Sequence, residues 1–304
     1  MIDPYHSYQG VIVPMASPFN EKGELDRNAA GALIEFLLKH HTVPFIMGTT
    51  GEATSISIHE RQEFVSVLVA HRKENIPLIV GLIGLPYTET IEEANKYFKL
   101  GVDSVVLTLP NYYPLNHEQM YNYFKSASEN INGNIILYNI PKTTHMSIPV
   151  EVIDELSKEK NIIGIKDSEF DEGRLVLSLM RWKNRNDFFH LTGVNKLMVR
   201  GMELGSRGIV PSTANFDPQI YRNLYDSCLE GKYNEAQSLL NRTQELCDIY
   251  QKDRSLGESL AALKTILSFM ELCKGEVCLP LTKYEGEEAR KIIDNYTKTI
   301  KYEK

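Results

Sequence analysis

Eight short apolar runs, separated by longer amphipathic segments, constrain the fold of this chain more than any other feature. Each run has about the length of a β-strand, and most are rich in Val and Ile. They span residues 10–15, 43–50, 77–83, 104–110, 134–141, 161–168, 188–194 and 207–213. The runs are continuously apolar rather than alternating, which is typical of strands buried on both faces. The pattern therefore predicts a parallel sheet covered on both sides.

The segments between the runs carry signals for the ends of helices. Ser57 and Glu60 have the spacing of a capping box. Ser147 precedes a segment with Pro149 in its predicted first turn, and Gly101 stands where a helix would stop. Strands and helices alternating at about 30 residues per unit predict an α/β fold, a closed (β/α)₈ TIM barrel. An open doubly wound sheet is the alternative, which eight consecutive units disfavour.

Only helical patterns follow the eighth run. One of these helices completes the barrel, and about three remain. No Pro-, Gly- or Ser-rich linker separates the two parts. We therefore expect a barrel with the active site over residues 1–231 and a C-terminal helical extension over residues 232–304.

Composition excludes several classes of function. The 304 residues are 42% hydrophobic and 24% charged with a net charge of -7, which is ordinary for a folded globular protein. No long basic run suggests a nucleic-acid surface, and no apolar stretch reaches the roughly 20 residues that span a bilayer. The N-terminus lacks the pattern of a secretory signal, so we expect a cytoplasmic protein.

The four cysteines, Cys228, Cys247, Cys273 and Cys278, have spacings that match no zinc pattern. We expect them to be reduced thiols, mostly buried in helices. No cluster of His, Asp and Glu recurs at the predicted strand ends either, which disfavours metal-dependent aldol chemistry.

In a barrel of this kind, reactive side chains project from the carboxyl ends of the strands. The second run ends in "GTTGE" (48–52), the fifth carries Tyr138 and the sixth carries Lys166. The seventh and eighth end in "TGVN" (192–195) and "PSTAN" (211–215). Hydroxyls, glycines and one lysine are thus predicted to meet at one face.

Lys166 ends the apolar run "NIIGIK" (161–166), where an unpaired ammonium group is costly to bury. Apolar surroundings lower the pKa of an amine, and a neutral amine can condense with a ketone to form a Schiff base. The alternative is a structural ion pair with Asp167. Adjacent residues of a strand face opposite ways, which disfavours that pair.

Tyr138 and the "GTTGE" turn supply the remaining chemistry. A tyrosine hydroxyl can move protons when neighbouring donors stabilise its anion, although a lone tyrosine is more often a packed aromatic. The turn offers two hydroxyls and backbone N–H groups, a plausible cradle for a carboxylate. Alone, such a turn is weak support for a site.

Together, "GTTGE", "YNIP" (138–141) and "GIKDS" (164–168) resemble the dihydrodipicolinate synthase/N-acetylneuraminate lyase family. The resemblance covers nearly the whole chain. It implies a (β/α)₈ barrel with a C-terminal helical domain, often tetrameric, and a Schiff-base lysine acting on pyruvate or another 2-oxo acid. No metal or organic cofactor is implied.

The resemblance also implies roles for individual residues. Lys166 matches the Schiff-base lysine and Tyr138 the tyrosine that moves protons. Thr49 and Thr50 match the hydroxyl pair that binds the pyruvate carboxylate, to which the N–H groups of Thr50 and Gly51 could contribute.

Three further positions follow from the same resemblance. Tyr112 falls at the position of a relay tyrosine. Gly193 and Ile209 stand where backbone groups flank the pyruvyl moiety.

Two departures weaken the resemblance to the synthases of the family. Thr143 stands where those synthases carry an arginine for the substrate carboxylate, and a threonine cannot replace a bidentate charged clamp. Asn111 stands where they carry a tyrosine that reaches across a dimer contact. "PNYYP" (110–114) is closer to the sialic-acid lyases, and Asn195 and Ser212 are then predicted to bind substrate hydroxyls.

We therefore expect a class I pyruvate-dependent aldolase, a lyase that cleaves or forms a hydroxylated 2-oxo acid such as N-acetylneuraminate or a 2-keto-3-deoxy sugar acid. The alternatives on the same scaffold are 4-hydroxy-tetrahydrodipicolinate synthase and a sugar-acid dehydratase. A non-catalytic 2-oxo acid binding protein is the alternative of another class. The expected partners are pyruvate, an aldehyde and further copies of the chain in a dimer or tetramer.

Overall fold

A computed structural model describes residues 8–301 and has a closed barrel of eight parallel strands in chain order. Strands β1–β8 are Gly10–Pro14, Val43–Ile46, Ile79–Leu82, Ser104–Thr108, Asn134–Asn139, Ile162–Asp167, Phe189–Thr192 and Gly208–Ile209. β8 pairs with β1 through Gly208 opposite Gly10, which closes the barrel. The predicted TIM barrel is confirmed.

The helices follow the strands in the predicted rhythm. Helices α1–α6 are Arg27–Lys39, Ile58–Ala70, Tyr87–Leu100, His117–Asn130, Pro141–Thr144 and Val150–Leu156. Helices α7–α12 are Glu172–Trp182, Met198–Leu204, Pro218–Leu229, Tyr233–Gln251, Leu256–Phe269 and Gly286–Lys301.

The predicted helix ends are confirmed in two of three cases. The capping box of Ser57 and Glu60 begins α2, and Gly101 ends α3 in the left-handed conformation. Ser147 caps no helix, because α6 begins at Val150 with Pro149 as its cap residue. The Ser147 hydroxyl instead donates to the carboxylate of Glu169 at 2.6 Å, which holds it away from the helix.

Strand side chains alternate between the barrel axis and the surrounding helices. Phe45, Tyr138, Ile163 and Leu191 belong to the cluster inside the barrel. Ile46 and Leu137, the chain neighbours of Phe45 and Tyr138, belong to a larger cluster that the outer helices also join. Both faces of the strands are largely buried, because the barrel interior covers one and the helices cover the other.

Helices α10–α12 form the C-terminal helical segment. Leu246 in α10 and Leu263 in α11 are fully buried and belong to the same apolar cluster as the outer face of the barrel. α11 ends at Phe269. Cys273 and Cys278 consequently lie in the loop after it rather than in a helix. Within residues 8–301, no helix is long and apolar enough to span a bilayer.

Candidate active site

Lys166 lies at the carboxyl end of β6 with its side chain inside the barrel. Only 4% of the residue is exposed. Its Nζ lies 3.9 Å from the centroid of the Tyr138 ring and 5.0 Å from that of Phe45. Tyr138 is the register partner of Lys166 on β5, so strand pairing itself brings the two residues together.

Asp167 faces the opposite way and belongs to another network. Its Oδ2 accepts a hydrogen bond from Arg174 Nε at 2.7 Å, and its Oδ1 accepts one from Asn139 Nδ2 at 2.9 Å. The alternative of an ion pair between Lys166 and Asp167 is therefore wrong. The alternation of side chains along a strand is the physical reason.

His190 lies behind this network on the outer face of β7. Its Nδ1 is 3.2 Å from Ser206 Oγ, and the residue is 2% exposed. Burial lowers the pKa of His190 to about 4, an effect that the Asp167 carboxylate partly opposes. The imidazole is thus neutral near pH 7.

The Tyr138 hydroxyl reaches the turn after β2. It lies 3.5 Å from Thr49 Oγ1, and either oxygen can be the donor. Tyr138 is only 3% exposed, so this pair is sheltered from bulk water. At the barrel mouth, the Lys166 amine therefore packs against the Tyr138 ring, and the Tyr138 hydroxyl lies near that of Thr49. The strand ends in the sequence predicted this grouping.

The turn at residues 48–52 is tightly packed. Ser17 Oγ donates to the Gly51 carbonyl at 2.6 Å, and a Cβ added at Gly51 would lie 2.9 Å from the Met15 carbonyl oxygen. The Gly51 N–H already donates to the Gly48 carbonyl at 3.1 Å. It is therefore not free to donate to the pyruvate carboxylate, which differs from the prediction. The N–H of the buried Thr50 is the better candidate.

Gly193 and Ile209 lie at the ends of β7 and β8. The Gly193 N–H donates to the Asp167 carbonyl at 2.7 Å, and Ile209 pairs with Val11 and Thr192. Both positions therefore belong to the rim of the barrel, and their contact with a pyruvyl group stays a prediction.

Asn195 and Ser212 join the barrel to the helices beside it. Asn195 Oδ1 accepts a hydrogen bond from the Tyr221 hydroxyl at 2.8 Å, and its Nδ2 donates to Thr243 at 3.2 Å. Ser212 Oγ lies 2.7 Å from the Tyr250 hydroxyl. These contacts use the groups that were predicted to bind substrate hydroxyls, and they give both residues a structural task.

Tyr112 lies at the outer rim of the barrel mouth. Its side chain is 85% exposed and packs edge-on against Tyr113, with ring centroids 4.9 Å apart. The relay role of Tyr112 stays a prediction, because its hydroxyl is not part of the pair formed by Tyr138 and Thr49.

A groove of about 490 Å³ adjoins the site. Thr49, Tyr112 and Thr143 line it from the barrel loops, and Leu260 and Leu281 line it from the C-terminal helical segment. Among the described residues that line it, none is basic. Its lining is mostly apolar and also includes several threonines, Asn111 and the acidic residue Glu52.

Sequence reasoning missed two features of the site. Phe45 packs against the Lys166 amine but looked like an ordinary strand residue. Glu52 ends "GTTGE" and forms a buried ion pair with Lys264, 2.5 Å between Oε1 and Nζ. A signal existed, because Lys264 interrupts the apolar run "LAALKTIL" (260–267) much as Lys166 ends its own.

Comparison with known proteins identifies a family for almost the whole chain. Residues 7–299 match the model of the "Dihydrodipicolinate synthetase family". An uncharacterized DapA-like lyase of Thermococcus onnurineus is 31% identical over 301 residues, covering 97% of this chain and all of that protein. The 4-hydroxy-tetrahydrodipicolinate synthase of Archaeoglobus fulgidus is 28% identical, covering 94% of this chain and 96% of its own.

Solved structures agree with this result. The crystal structure of dihydrodipicolinate synthase from Aquifex aeolicus has a TM-score of 0.87 at 27% identity, covering 96% of this chain and 98% of its own. The dihydrodipicolinate synthase from Bacteroides thetaiotaomicron has a TM-score of 0.89 at 26% identity, with coverages of 95% and 98%.

Proposed function

This chain belongs to the dihydrodipicolinate synthetase family, and on that premise we propose that it is a Schiff-base-forming lyase that joins pyruvate to an aldehyde. The observation that carries the proposal is the position of Lys166, buried at the end of β6 against the ring of Tyr138. A non-catalytic binding protein would not need a proton-moving phenol beside the amine, so the pair supports an enzyme.

The chemistry uses the unprotonated form of the Lys166 amine as the nucleophile. It adds to the C2 carbonyl of pyruvate, and the carbinolamine loses water to give a protonated iminium. The iminium withdraws electrons, so loss of one C3 proton gives an enamine. The C3 atom of the enamine then bonds to the aldehyde carbon, whose oxygen takes up a proton. Water finally hydrolyses the iminium and releases the amine.

Tyr138 and Thr49 have the contacts to move those protons. The phenol lies beside the amine and within 3.5 Å of the threonine hydroxyl, which stabilises a transient phenolate. We assign the pyruvate carboxylate to the Thr50 N–H and to the hydroxyls of Thr49 and Thr50. Carbon–carbon bond cleavage uses the same groups in reverse order.

For the aldehyde, aspartate semialdehyde in a 4-hydroxy-tetrahydrodipicolinate synthase reaction is the first candidate. The relatives named above support it, because they are synthases and a DapA-like lyase rather than sugar-acid lyases. The preference for a sugar-acid lyase that the sequence favoured is correspondingly weaker.

Cleavage of a hydroxylated 2-oxo acid is the second candidate, and Thr143 favours it. Thr143 lines the groove beside Thr49, and no basic side chain is among the described residues that line it. An aldehyde with a carboxylate would lose a charge-assisted hydrogen bond there.

One experiment tests the reaction class and a second tests the substrate. Borohydride with pyruvate should attach a reduced pyruvyl group to Lys166, located by peptide mass mapping, and should leave the equally buried Lys264 unlabelled. Failure to trap any 2-oxo acid would favour the alternative of a non-catalytic 2-oxo acid binding protein. The ratio of kcat/KM for aspartate semialdehyde to kcat/KM for a 2-keto-3-deoxy acid then decides between the two candidates.

We also propose that the protein is a homo-oligomer, a dimer or tetramer. Three large apolar side chains, Tyr112, Tyr113 and Leu279, are 85%, 72% and 87% exposed in the single chain. Surfaces of this kind are often covered by a partner. Light scattering during size-exclusion chromatography measures the mass, and a monomer would contradict the proposal.

A further inference from the structure

Glu52 is the last residue of the turn that carries Thr49 and Thr50, and its carboxylate is deeply buried. Its side chain is 1% exposed, as is that of Lys264 in the middle of α11. The two are separated by 212 positions in the chain, yet Nζ and Oε1 lie 2.5 Å apart. The ion pair therefore connects the C-terminal helical segment with the carboxylate-binding turn.

Other contacts secure both partners. Glu52 Oε2 accepts a hydrogen bond from the Cys278 N–H at 2.8 Å. Lys264 Nζ donates to the Glu276 carbonyl at 2.7 Å and lies 4.0 Å from the centroid of the Phe19 ring. The Glu52 carboxylate is thus bound both to α11 and to the loop that follows α11.

The backbone of Glu52 supports a positioning role. Its φ is 53°, in the left-handed region that residues other than glycine rarely adopt. Such a conformation costs free energy and persists where surrounding contacts impose it. The backbone of the turn is held by its own hydrogen bonds, such as that from the Glu52 N–H to the Thr49 carbonyl at 3.1 Å, and the side-chain contacts of Glu52 with the C-terminal helical segment add to them.

Stability alone does not account for the ion pair. A buried ion pair can often be replaced by neutral residues without loss of stability, because its Coulomb energy is offset by desolvation. Its geometric effect, in contrast, is specific, because one carboxylate oxygen accepts a hydrogen bond from the Cys278 N–H while the other is paired with the Lys264 amine.

We propose that Glu52 and Lys264 are positioning residues that hold the Thr49–Gly51 turn in the geometry that binds the carboxylate of the 2-oxo acid. The C-terminal helical segment thereby contributes to substrate affinity at a barrel site. This inference rests on the proposed function, since it assumes that a 2-oxo acid binds at this turn.

The test separates substrate affinity from folding stability in three variants. Glu52→Gln keeps the volume and the acceptor for Cys278 but removes the charge, and Glu52→Gln/Lys264→Met removes both charges. Ile292→Ala is the control, because Ile292 is a buried core residue of α12 that lies outside the ion pair. Each variant is compared with the wild type for Tm, kcat, KM for pyruvate and the pyruvate concentration that gives half-maximal borohydride trapping.

We expect Glu52→Gln to raise the KM and the half-maximal trapping concentration about tenfold, about 1.4 kcal/mol of binding free energy, with kcat changed less. The double variant should recover Tm while KM stays raised, and Ile292→Ala should lower Tm with KM unchanged. Recovery of both Tm and KM in the double variant, or an unchanged KM in Glu52→Gln, would overturn this inference and leave the proposed function standing. A wild type that pyruvate does not trap would overturn the proposed function and the inference with it.

Discussion

At the scale of single residues, Tyr138 makes two contacts that can be separated by mutation. Its ring packs against the Lys166 amine, and its hydroxyl lies 3.5 Å from Thr49. Tyr138→Phe keeps the ring and removes the hydroxyl. We expect borohydride trapping at Lys166 to remain measurable and kcat to fall about 10²–10⁴-fold, as when a general acid–base is removed.

Thr49→Val is the companion variant for this prediction. It removes the hydroxyl neighbour of Tyr138 at nearly constant volume, so kcat should fall while the phenol remains. An unchanged kcat in Tyr138→Phe, measured by steady-state kinetics at saturating pyruvate, would show that another group carries the proton.

Thr143 permits a second prediction at this scale. Thr143→Arg adds a bidentate cation to a groove whose described lining contains no basic residue. A charge-assisted hydrogen bond to a substrate carboxylate contributes about 1.5–3 kcal/mol, so kcat/KM for aspartate semialdehyde should rise about tenfold or more.

The matched control for that variant is Thr143→Gln, which adds length without charge and should leave the same kcat/KM unchanged. An equal rise in both variants would show that the volume of the side chain, rather than its charge, limits the reaction with aspartate semialdehyde.

Site residues whose partners lie on neighbouring strands could be predicted from the sequence, whereas those whose partners lie on helices could not. Lys166 and Tyr138 lie at the ends of strands and Thr49 lies in the turn after β2, and strand order alone brings such residues to one rim. Asn195 and Ser212 also follow strands, but Tyr221, Thr243 and Tyr250 of the helices beside them occupy their polar groups. Contacts of that kind depend on how α9 and α10 pack, which local pattern does not reveal.

At the scale of elements, the outer faces of β6 and β7 enclose a histidine whose charge affects stability. Burial lowers the pKa of His190 from 6.5 to about 4, with Asp167 opposing the shift and Arg174 adding to it. The unfolded chain therefore binds a proton at a pH where the folded chain does not. The stabilising contribution is complete above pH 6.5 and is lost as the pH falls toward 4.

This linkage predicts an acid sensitivity that a single substitution should remove. Between pH 7 and pH 5 the wild type should lose about 2 kcal/mol of unfolding free energy through His190. Over the same pH range, the unfolding free energy of the His190→Gln variant should fall by about 2 kcal/mol less than that of the wild type. Urea unfolding at the two pH values measures both losses. Parallel losses in both proteins would mean that His190 is protonated in the folded state.

The elements themselves were more predictable than their ends. The apolar runs located all eight strands, because a sheet covered on both faces must be apolar on both. β8 nevertheless keeps only Gly208–Ile209 of its predicted run. α11 stops at Phe269, and the loop after it brings the Cys278 N–H to the Glu52 carboxylate. Such boundaries follow tertiary contacts rather than local propensity.

At the scale of the whole molecule, the predicted division between residues 1–231 and 232–304 falls in the turn between α9 and α10. α10 packs closely on α9, and buried residues of both belong to the same apolar cluster. The Glu52–Lys264 pair adds a charged contact between the two parts. Separating them would expose apolar surface and an unpaired charge, so we expect them to unfold together.

This expectation gives the last prediction. Leu246 in α10 is fully buried against the shared core, and Leu246→Ala should cost about 2–5 kcal/mol through lost contacts and a cavity. If the molecule unfolds as one unit, the variant should shift the whole transition to lower temperature, as followed by far-ultraviolet circular dichroism. The loss of pyruvate trapping at Lys166, which reports on the barrel, should follow the same shifted curve. Leu246 is remote from Lys166 in the chain, so a barrel that kept trapping pyruvate after α10 had melted would show that the C-terminal helices form a separate unit.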